Sequence, residues 1–366
     1  MVKENKEFAP STQELASVIS EGIIRPAIGL VANYSDSSET RFFLTPESCG
    51  LLSNDFRILM ETKAASDINY GDEEYVEYGA EIVTRKEALK ADLVLSFLPL
   101  KIADVKKMRK GATMICTSGD RMYEREYISA LLECGITTIC LDYVLSHNDE
   151  AVFANALDEI DGRTSIFYAA EALSYLGNGC GILLAGVAGT CPREVLIIGE
   201  GSRVHYAAKT ALALGAQVTL MDNDVSALQV AQSECGERLV TCAIQPKILT
   251  DKVSRADVII LDSCTRSFEF PKKLSLAMRK DVYFLDLNAT SPSVSVPRTV
   301  AKAISIPLIN FLNDMALKNG VENLIALTPG VQGAVVTYRG QLVNRLIGSC
   351  LSIPSTDLRM MFTDPN

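Results

Sequence analysis

The sequence predicts an α/β protein of two domains, each built on a parallel sheet. Three observations carry that prediction. Short apolar runs alternate with helical stretches from Ala27 to about residue 150, one long helical stretch follows, and a second alternating series opens at Glu194. The length suits two cores: 366 residues, 48% hydrophobic and 22% charged, exceed what one ordinary domain needs and exclude a disordered chain.

In the first series, Ile28 to Val31, Arg57 to Met60, Leu93 to Leu98, Ala112 to Cys116 and Thr137 to Leu141 read as strands. Thr45-Pro46-Glu47 opens a helix, with threonine as N-cap and proline at the first helical position. Asp72 to Tyr78 and Tyr127 to Glu133 are further helices. Apolar residues then recur at helical spacing through Phe153, Leu157, Ile160, Phe167 and Leu173 and stop at Gly177-Asn178-Gly179, which predicts one long helix linking the domains. The second series places strands at Glu194 to Ile198, Gln217 to Met221, Arg238 to Thr241, Val258 to Leu261 and Val282 to Leu285, and helices at Pro307 to Lys318 and Gln341 to Ile347. The expected division is an N-terminal extension over 1–26, a first domain over 27–150 completed by 300–366, and a second domain over 151–299.

Charge and composition exclude several classes. Lysine plus arginine number 35 against 45 aspartate plus glutamate, a balance of −10 that argues against nucleic acid as a partner. No run reaches the roughly 20 apolar residues of a membrane span, and the polar start Met1-Val2-Lys3-Glu4 lacks a signal peptide's apolar stretch, so a cytoplasmic protein without a membrane role is expected. The ten cysteines are scattered without a Cys-x-x-Cys, and His147 and His205 are the only histidines, so the thiols are expected to be buried and free and no metal site is expected.

The sharpest chemical signal is Val195-Leu196-Ile197-Ile198-Gly199-Glu200-Gly201-Ser202-Arg203-Val204, a buried strand running into Gly-x-Gly and an alanine-rich helix. Gly199 permits a tight turn, Gly201 lets backbone approach a pyrophosphate, and the helix start at Ser202 supplies free amide donors. Asp222 ends the next strand, where an acid accepts hydrogen bonds from an adenosine ribose and repels a 2′-phosphate. Together these predict a Rossmann-type dinucleotide-binding domain that prefers NAD to NADP. Val204 stands where a third glycine belongs, and its branched side chain must be repacked. A sharp βα turn without a ligand is the alternative for Gly199 and Gly201, and a strand-end turn residue for Asp222.

From about Ala27 onward the chain resembles the alanine dehydrogenase and NAD(P) transhydrogenase alpha-subunit family. The likeness rests on Glu39-Thr40-Arg41-Phe42-Phe43-Leu44-Thr45-Pro46, Gly79-Ala80-Glu81-Ile82-Val83, Ala91-Asp92-Leu93-Val94-Leu95, Gly186-Val187-Ala188-Gly189 with Pro192, Leu214-Gly215-Ala216-Gln217-Val218-Thr219, Val296-Pro297-Arg298-Thr299 and Thr337-Tyr338-Arg339-Gly340. The resemblance implies an oxidoreductase with NAD as cofactor, a small-molecule carboxylate substrate, and a homo-oligomer as an assembly the family commonly forms. It places Arg41 as the guanidinium that grips the substrate carboxylate.

Other positions depart from the family pattern. Ser96 stands where the resemblance implies a substrate-binding lysine. No histidine occurs near Thr117 or Ser118, where the family's acid/base group is implied, and Asp120 with Arg121 could supply replacement chemistry or form a solvated turn. Asp158 falls at a serine of the family that faces the nucleotide. The stretch from Leu287 to Val296 is shorter than the family's, with Thr290 nearest to the family's aspartate there and Asn288 second. Catalytic candidates are therefore Arg41, Ser96 and Asp120, and cofactor-binding candidates Gly199, Gly201, Ser202 and Asp222. Two functions remain in view: an NAD-dependent oxidoreductase of a small amino or oxo acid, and a catalytically reduced protein that binds a nucleotide or carboxylate in a sensing or partner role. An empty structural scaffold is a third.

Overall fold

The structure is a computed structural model and describes residues 25–199, 201–262 and 270–363. Apart from Arg25 and Pro26, the expected N-terminal extension lies outside the described residues, as do Glu200 and Cys264.

The first sheet has eight strands: β1 (Ala27–Leu30), β2 (Arg57–Glu61), β3 (Glu81–Val83), β4 (Leu93–Leu95), β5 (Thr113–Cys116), β6 (Thr137–Cys140), and two late additions, β12 (Val335–Tyr338) and β13 (Gln341–Leu342). Their order is β13-β12-β6-β5-β4-β1-β2-β3. The six early strands pair in parallel, and β4, β5 and β6 are buried along their whole length, as strands covered on both faces must be. Helix α1 (Pro46–Leu52) starts as expected, with the Thr45 side chain accepting from the Ser48 amide. Tyr75 and Tyr127 are fully buried, each worth roughly 1.5–3 kcal/mol of apolar transfer, and the Tyr75 hydroxyl donates to the Leu44 carbonyl at 2.6 Å.

The C-terminal part corrects one expectation. Gln341 to Ile347 is not a continuous helix: Gln341 and Leu342 pair antiparallel with β12, and the helix occupies Arg345–Leu351. Arg339 and Gly340 both have positive φ (46° and 75°), as a two-residue hairpin turn requires. This hairpin extends the sheet beyond β6 in the antiparallel sense.

Helix α2 (Val152–Leu173) leads to the second sheet, whose strands are β7 (Glu194–Gly199), β8 (Gln217–Asp222), β9 (Val240–Ala243), β10 (Val258–Asp262) and β11 (Tyr283–Asp286). All pair in parallel in the order β11-β10-β7-β8-β9, the doubly wound arrangement with its reversal between β7 and β10. Helix α3 (Ser202–Ala213) follows the glycine turn. Val204 is accommodated without exposing it: the side chain is fully buried in the core of this sheet. Close approach occurs instead between α2 and α3, where a Cβ on Gly162 would lie 2.3 Å from the Arg203 carbonyl oxygen.

Helix α4 (Pro297–Leu317) returns to the first unit and buries Ile304, Leu308 and Leu312 in its core. It has the length and mean hydropathy (1.2) of a membrane span, but half of that stretch is covered by the protein's own fold. The cysteines divide in a way the sequence did not predict. Cys49, Cys116 and Cys140 are buried, whereas Cys180, Cys191 and Cys350 are exposed, and all those described are free thiols. Exposure follows from their placement outside the regular core elements or, for Cys350, on the outer face of a short helix.

Candidate active site between the two sheets

In doubly wound sheets, ligands settle beyond the carboxyl ends of the strands where the strand order reverses. This chain has two such points. In the first sheet the reversal lies between β1 and β4, and in the second between β7 and β10. Both open into one cleft of about 790 Å³. Its walls come from the loop after β1 (Glu39, Arg41), the turns after β4 and β5 (Pro99, Asp120, Arg121), the start of α3 (Arg203) and the loop after β11 (Thr290, Ser291).

Arg41 is buried and its guanidinium is already engaged. Nε and Nη2 form a two-bond fork with Glu39 Oε1 and Oε2 (2.8 and 2.7 Å), and Nη1 donates to Ser291 Oγ and Ser293 Oγ (2.9 and 3.0 Å). The cation also lies 4.5 Å from the centre of the Phe97 ring. Of a guanidinium's five N–H donors, one remains for a ligand. The two serines pass the contact on to Asp161 of α2, which accepts from Ser291 Oγ (3.1 Å) and from the Ser293 amide (2.7 Å). Glu39, Asp161 and Ser293 are all buried.

Ser96 lies at the end of β4, but its hydroxyl donates to the Leu98 carbonyl at 2.7 Å and so fixes the turn leaving the strand. It is not among the residues that line the cleft. Thr117 likewise donates to the Phe97 carbonyl, and Ser118 gives its amide to Asp142 at 2.6 Å. Asp120 is exposed at the cleft rim. Neither histidine reaches the cleft: His147 is exposed in its turn, and His205 faces Glu234 on the next helix, its pKa lowered chiefly by burial.

Gly199, Gly201, Ser202 and Asp222 are not among the residues that line this cleft. Gly199 and Gly201 have φ of 130° and 100°, conformations that side chains disfavour. A Cβ on Gly199 would lie 1.7 Å from the Asp262 carbonyl oxygen, so β7 and β10 close tightly at the switch point. Ser202 begins α3, and Gly201 before it has no side chain to cap the first-turn amides. Asp222 is buried at the end of β8, and its Oδ1 accepts from the Asp224 amide at 2.6 Å. These residues fit the adenosine and pyrophosphate half of a dinucleotide: a tight glycine turn, uncapped amides at a long helix's start, and an acid at the next strand end.

Arg203 adds contacts that the sequence did not single out as a site feature. Arg203 donates to Asp262 Oδ1 (2.7 Å) and to the Leu287 carbonyl (2.8 Å), spanning the ends of β10 and β11. Asp158 Oδ1 lies 3.8 Å from Arg203 Nε. Burial raises the Asp158 carboxyl to about 6, and the nearby guanidinium only partly offsets that rise. The carboxylate thus faces a cation of its own chain. Thr290 and Asn288 both line the cleft, and the Asn288 side chain donates to Asp286 at 2.9 Å. Arg203 sat in plain view inside the glycine motif, but nothing in its spacing announced the Asp262 partner.

Residues 30–156 match the N-terminal domain of alanine dehydrogenase/PNT, and residues 165–265 match the C-terminal domain of the same family. The chain belongs to the alanine dehydrogenase/PNT family. It is 32% identical to the alanine dehydrogenase of Bacillus subtilis over 61% of its own length and 59% of that protein's. Against the alanine dehydrogenase of Mycolicibacterium smegmatis it is 24% identical over 88% of its length and 96% of the relative's. The chain thus spans less than two thirds of the first relative and nearly all of the second. Among solved structures, an L-alanine dehydrogenase superposes with a TM-score of 0.80 at 22% identity, covering 89% of this chain and 99% of that one. The transhydrogenase from Sinorhizobium meliloti superposes at 0.69 with 19% identity, covering 87% and 99%. At these identities the superpositions show a shared fold, two parallel-sheet domains with the second of Rossmann type.

Proposed function

We propose that this alanine dehydrogenase/PNT family member is an NAD-dependent oxidoreductase acting on a small amino or oxo acid held in the cleft. One observation carries the reading: Arg203, in the first turn of the helix that follows the glycine turn, lines the same cleft as Glu39, Arg41 and the turns that follow β4 and β5. Gly199, Gly201 and Ser202 would hold the pyrophosphate and Asp222 the adenosine ribose of NAD, the cofactor of the alanine dehydrogenase relatives. When bound, NAD would supply the hydride acceptor or donor.

The chain's own part is to bind the carboxylate, move a proton and exclude water. Asp120, exposed at the rim, is the catalytic candidate for proton movement. Arg41 lines the cleft with one donor left unused, and Ser96 would act by shaping the turn that leaves β4. Calorimetric titration with NADH, then hydride-transfer assays over a panel of amino acids and of oxo acids with ammonium, test this reading. Binding with turnover supports it; absence of both binding and turnover removes it.

The state of Arg41 favours a second reading. Its fork is filled by Glu39 rather than presented to a ligand, as in a catalytically reduced protein that binds a nucleotide or carboxylate in a sensing or partner role. NADH binding without turnover on any member of the panel would support it.

A further inference from the structure

Three guanidinium groups line the cleft, and their partners differ. Arg41 is neutralised by the two-bond fork to Glu39 and spends Nη1 on Ser291 and Ser293. Arg203 is neutralised by the fully buried Asp262, with Asp158 beside it. Arg121, on the 3₁₀ turn Asp120–Tyr123 beyond β5, has no carboxylate partner among the described residues; its side chain donates only from Nη1, to the Pro99 carbonyl at 3.0 Å. Nearby acids do not fill that role: Asp36 is taken by Lys101 through both oxygens (2.8 and 2.6 Å), Glu124 reaches Arg121 only by its backbone amide, which donates to the Arg121 carbonyl at 3.0 Å, and the Asp120 carboxylate makes no ion pair with the guanidinium among the described residues.

The setting of Arg121 is built rather than incidental. Its guanidinium carbon lies 5.8 Å from the centre of the Tyr34 ring, and that ring is fixed by a bond from its hydroxyl to Asp104 and another from the Lys101 amide, both 2.8 Å. Gly119 lets the turn lie against Pro99, since a Cβ there would stand 2.9 Å from Pro99 Cδ. Gly119 itself is in extended backbone, so the requirement is one of space and not of dihedral angle. The half-buried guanidinium is thereby held by one edge and lines the cleft, its remaining donors making no hydrogen bond among the described residues.

We infer that Arg121 anchors the substrate carboxylate, and that Arg41 is a positioning residue that ties the loop after β1 to the segment 291–293. The inference rests on the proposed oxidoreductase reading and replaces its carboxylate contact. A planar fork with free donors suits a bidentate carboxylate bond, worth about twice a neutral one. Arg41 cannot offer that fork without breaking its own.

The full chain and its Arg121→Met, Arg121→Lys and Arg41→Met variants are titrated with pyruvate, 2-oxoglutarate and glyoxylate, with and without NADH, and with pyruvamide as the uncharged counterpart. Thermal unfolding checks that each variant folds. The expected result is that Arg121→Met weakens carboxylate binding by at least about tenfold, or about 1.4 kcal/mol. Arg121→Lys should retain part of the affinity, pyruvamide binding should be alike in wild type and Arg121→Met, and NADH affinity should be unchanged. Carboxylate binding of wild-type strength in Arg121→Met overturns the inference, as does failure of the wild type to bind any of the oxo acids. The oxidoreductase reading fails separately, by lack of NADH binding and turnover, because the titrations without NADH read Arg121 alone.

Discussion

Arg41 and Asp161 grip the same two serines from opposite sides. Arg41 Nη1 donates to the hydroxyls of Ser291 and Ser293, and Asp161 accepts from the Ser291 hydroxyl and the Ser293 amide. One residue belongs to the loop after β1 and the other to α2, so the segment between β11 and α4 is clamped to both units. With Glu39 the cluster holds two carboxylates and one guanidinium away from water, where loss of the cation is costly because the anions stay behind. Arg41→Met is expected to lower unfolding free energy by about 3–5 kcal/mol, read as a shift of the urea midpoint at neutral pH. A midpoint within error of wild type would mean that the cluster is not a clamp.

Gly199 offers a test of the switch point itself. Gly199→Ala would place its methyl 1.7 Å from the Asp262 carbonyl oxygen at φ 130°, where neither rotation nor a flexible neighbour relieves the clash. Gly111 has φ 77° with open space around it, so Gly111→Ala should cost only the left-handed strain, about 1–2 kcal/mol. Gly199→Ala should cost more than about 3 kcal/mol or prevent folding. Equal costs in paired denaturant curves would show that β7 and β10 do not close as described.

Asp222 bears on cofactor choice. Asp222→Asn keeps an oxygen for the Asp224 amide while removing the charge, so the strand end should survive intact. If Asp222 repels a 2′-phosphate, the preference for NADH over NADPH should narrow by on the order of tenfold, about 1.4 kcal/mol. Fluorescence titrations of both cofactors measure this, and an unchanged ratio would remove Asp222 from the ribose site.

The two sheets were legible because their strands are short apolar runs with helix between, and β7 and β8 were marked at their ends by Gly199 and Asp222. The hairpin β12–β13 was hidden because β13 is only two residues long and runs through Val343 into the helix that Asn344 caps, so the turn at Arg339 and Gly340 was the one local sign of it. The glycine turn and the acid at the end of β8 could be read from local sequence as backbone features, since the positive φ at Gly199 and the bond from the Asp224 amide to Asp222 are set by neighbouring residues. What saturates Arg41 could not: Ser291, Ser293 and Asp161 lie far away in the chain, and only the folded topology brings them to it. Arg203 and Asp262 were concealed for the same reason.

Asp158 makes the pH dependence of stability a probe of its contact with Arg203. Burial is the larger influence on its carboxyl and raises it from 3.8 to about 6, against the pull of Arg203. A carboxyl raised on folding binds more protons in the folded than in the unfolded chain. Its contribution therefore opposes folding at neutral pH and is relieved as pH falls through about 6 toward its unfolded value. Asp158→Asn removes the titration while keeping the shape, so the variant should unfold at a higher temperature than wild type near pH 7.5, and the difference should shrink steadily toward about pH 4.5. Paired melting curves across that range measure it. A difference independent of pH would place the Asp158 carboxyl at its ordinary value, and a variant less stable at neutral pH would mean that the contact with Arg203 outweighs the cost of burial.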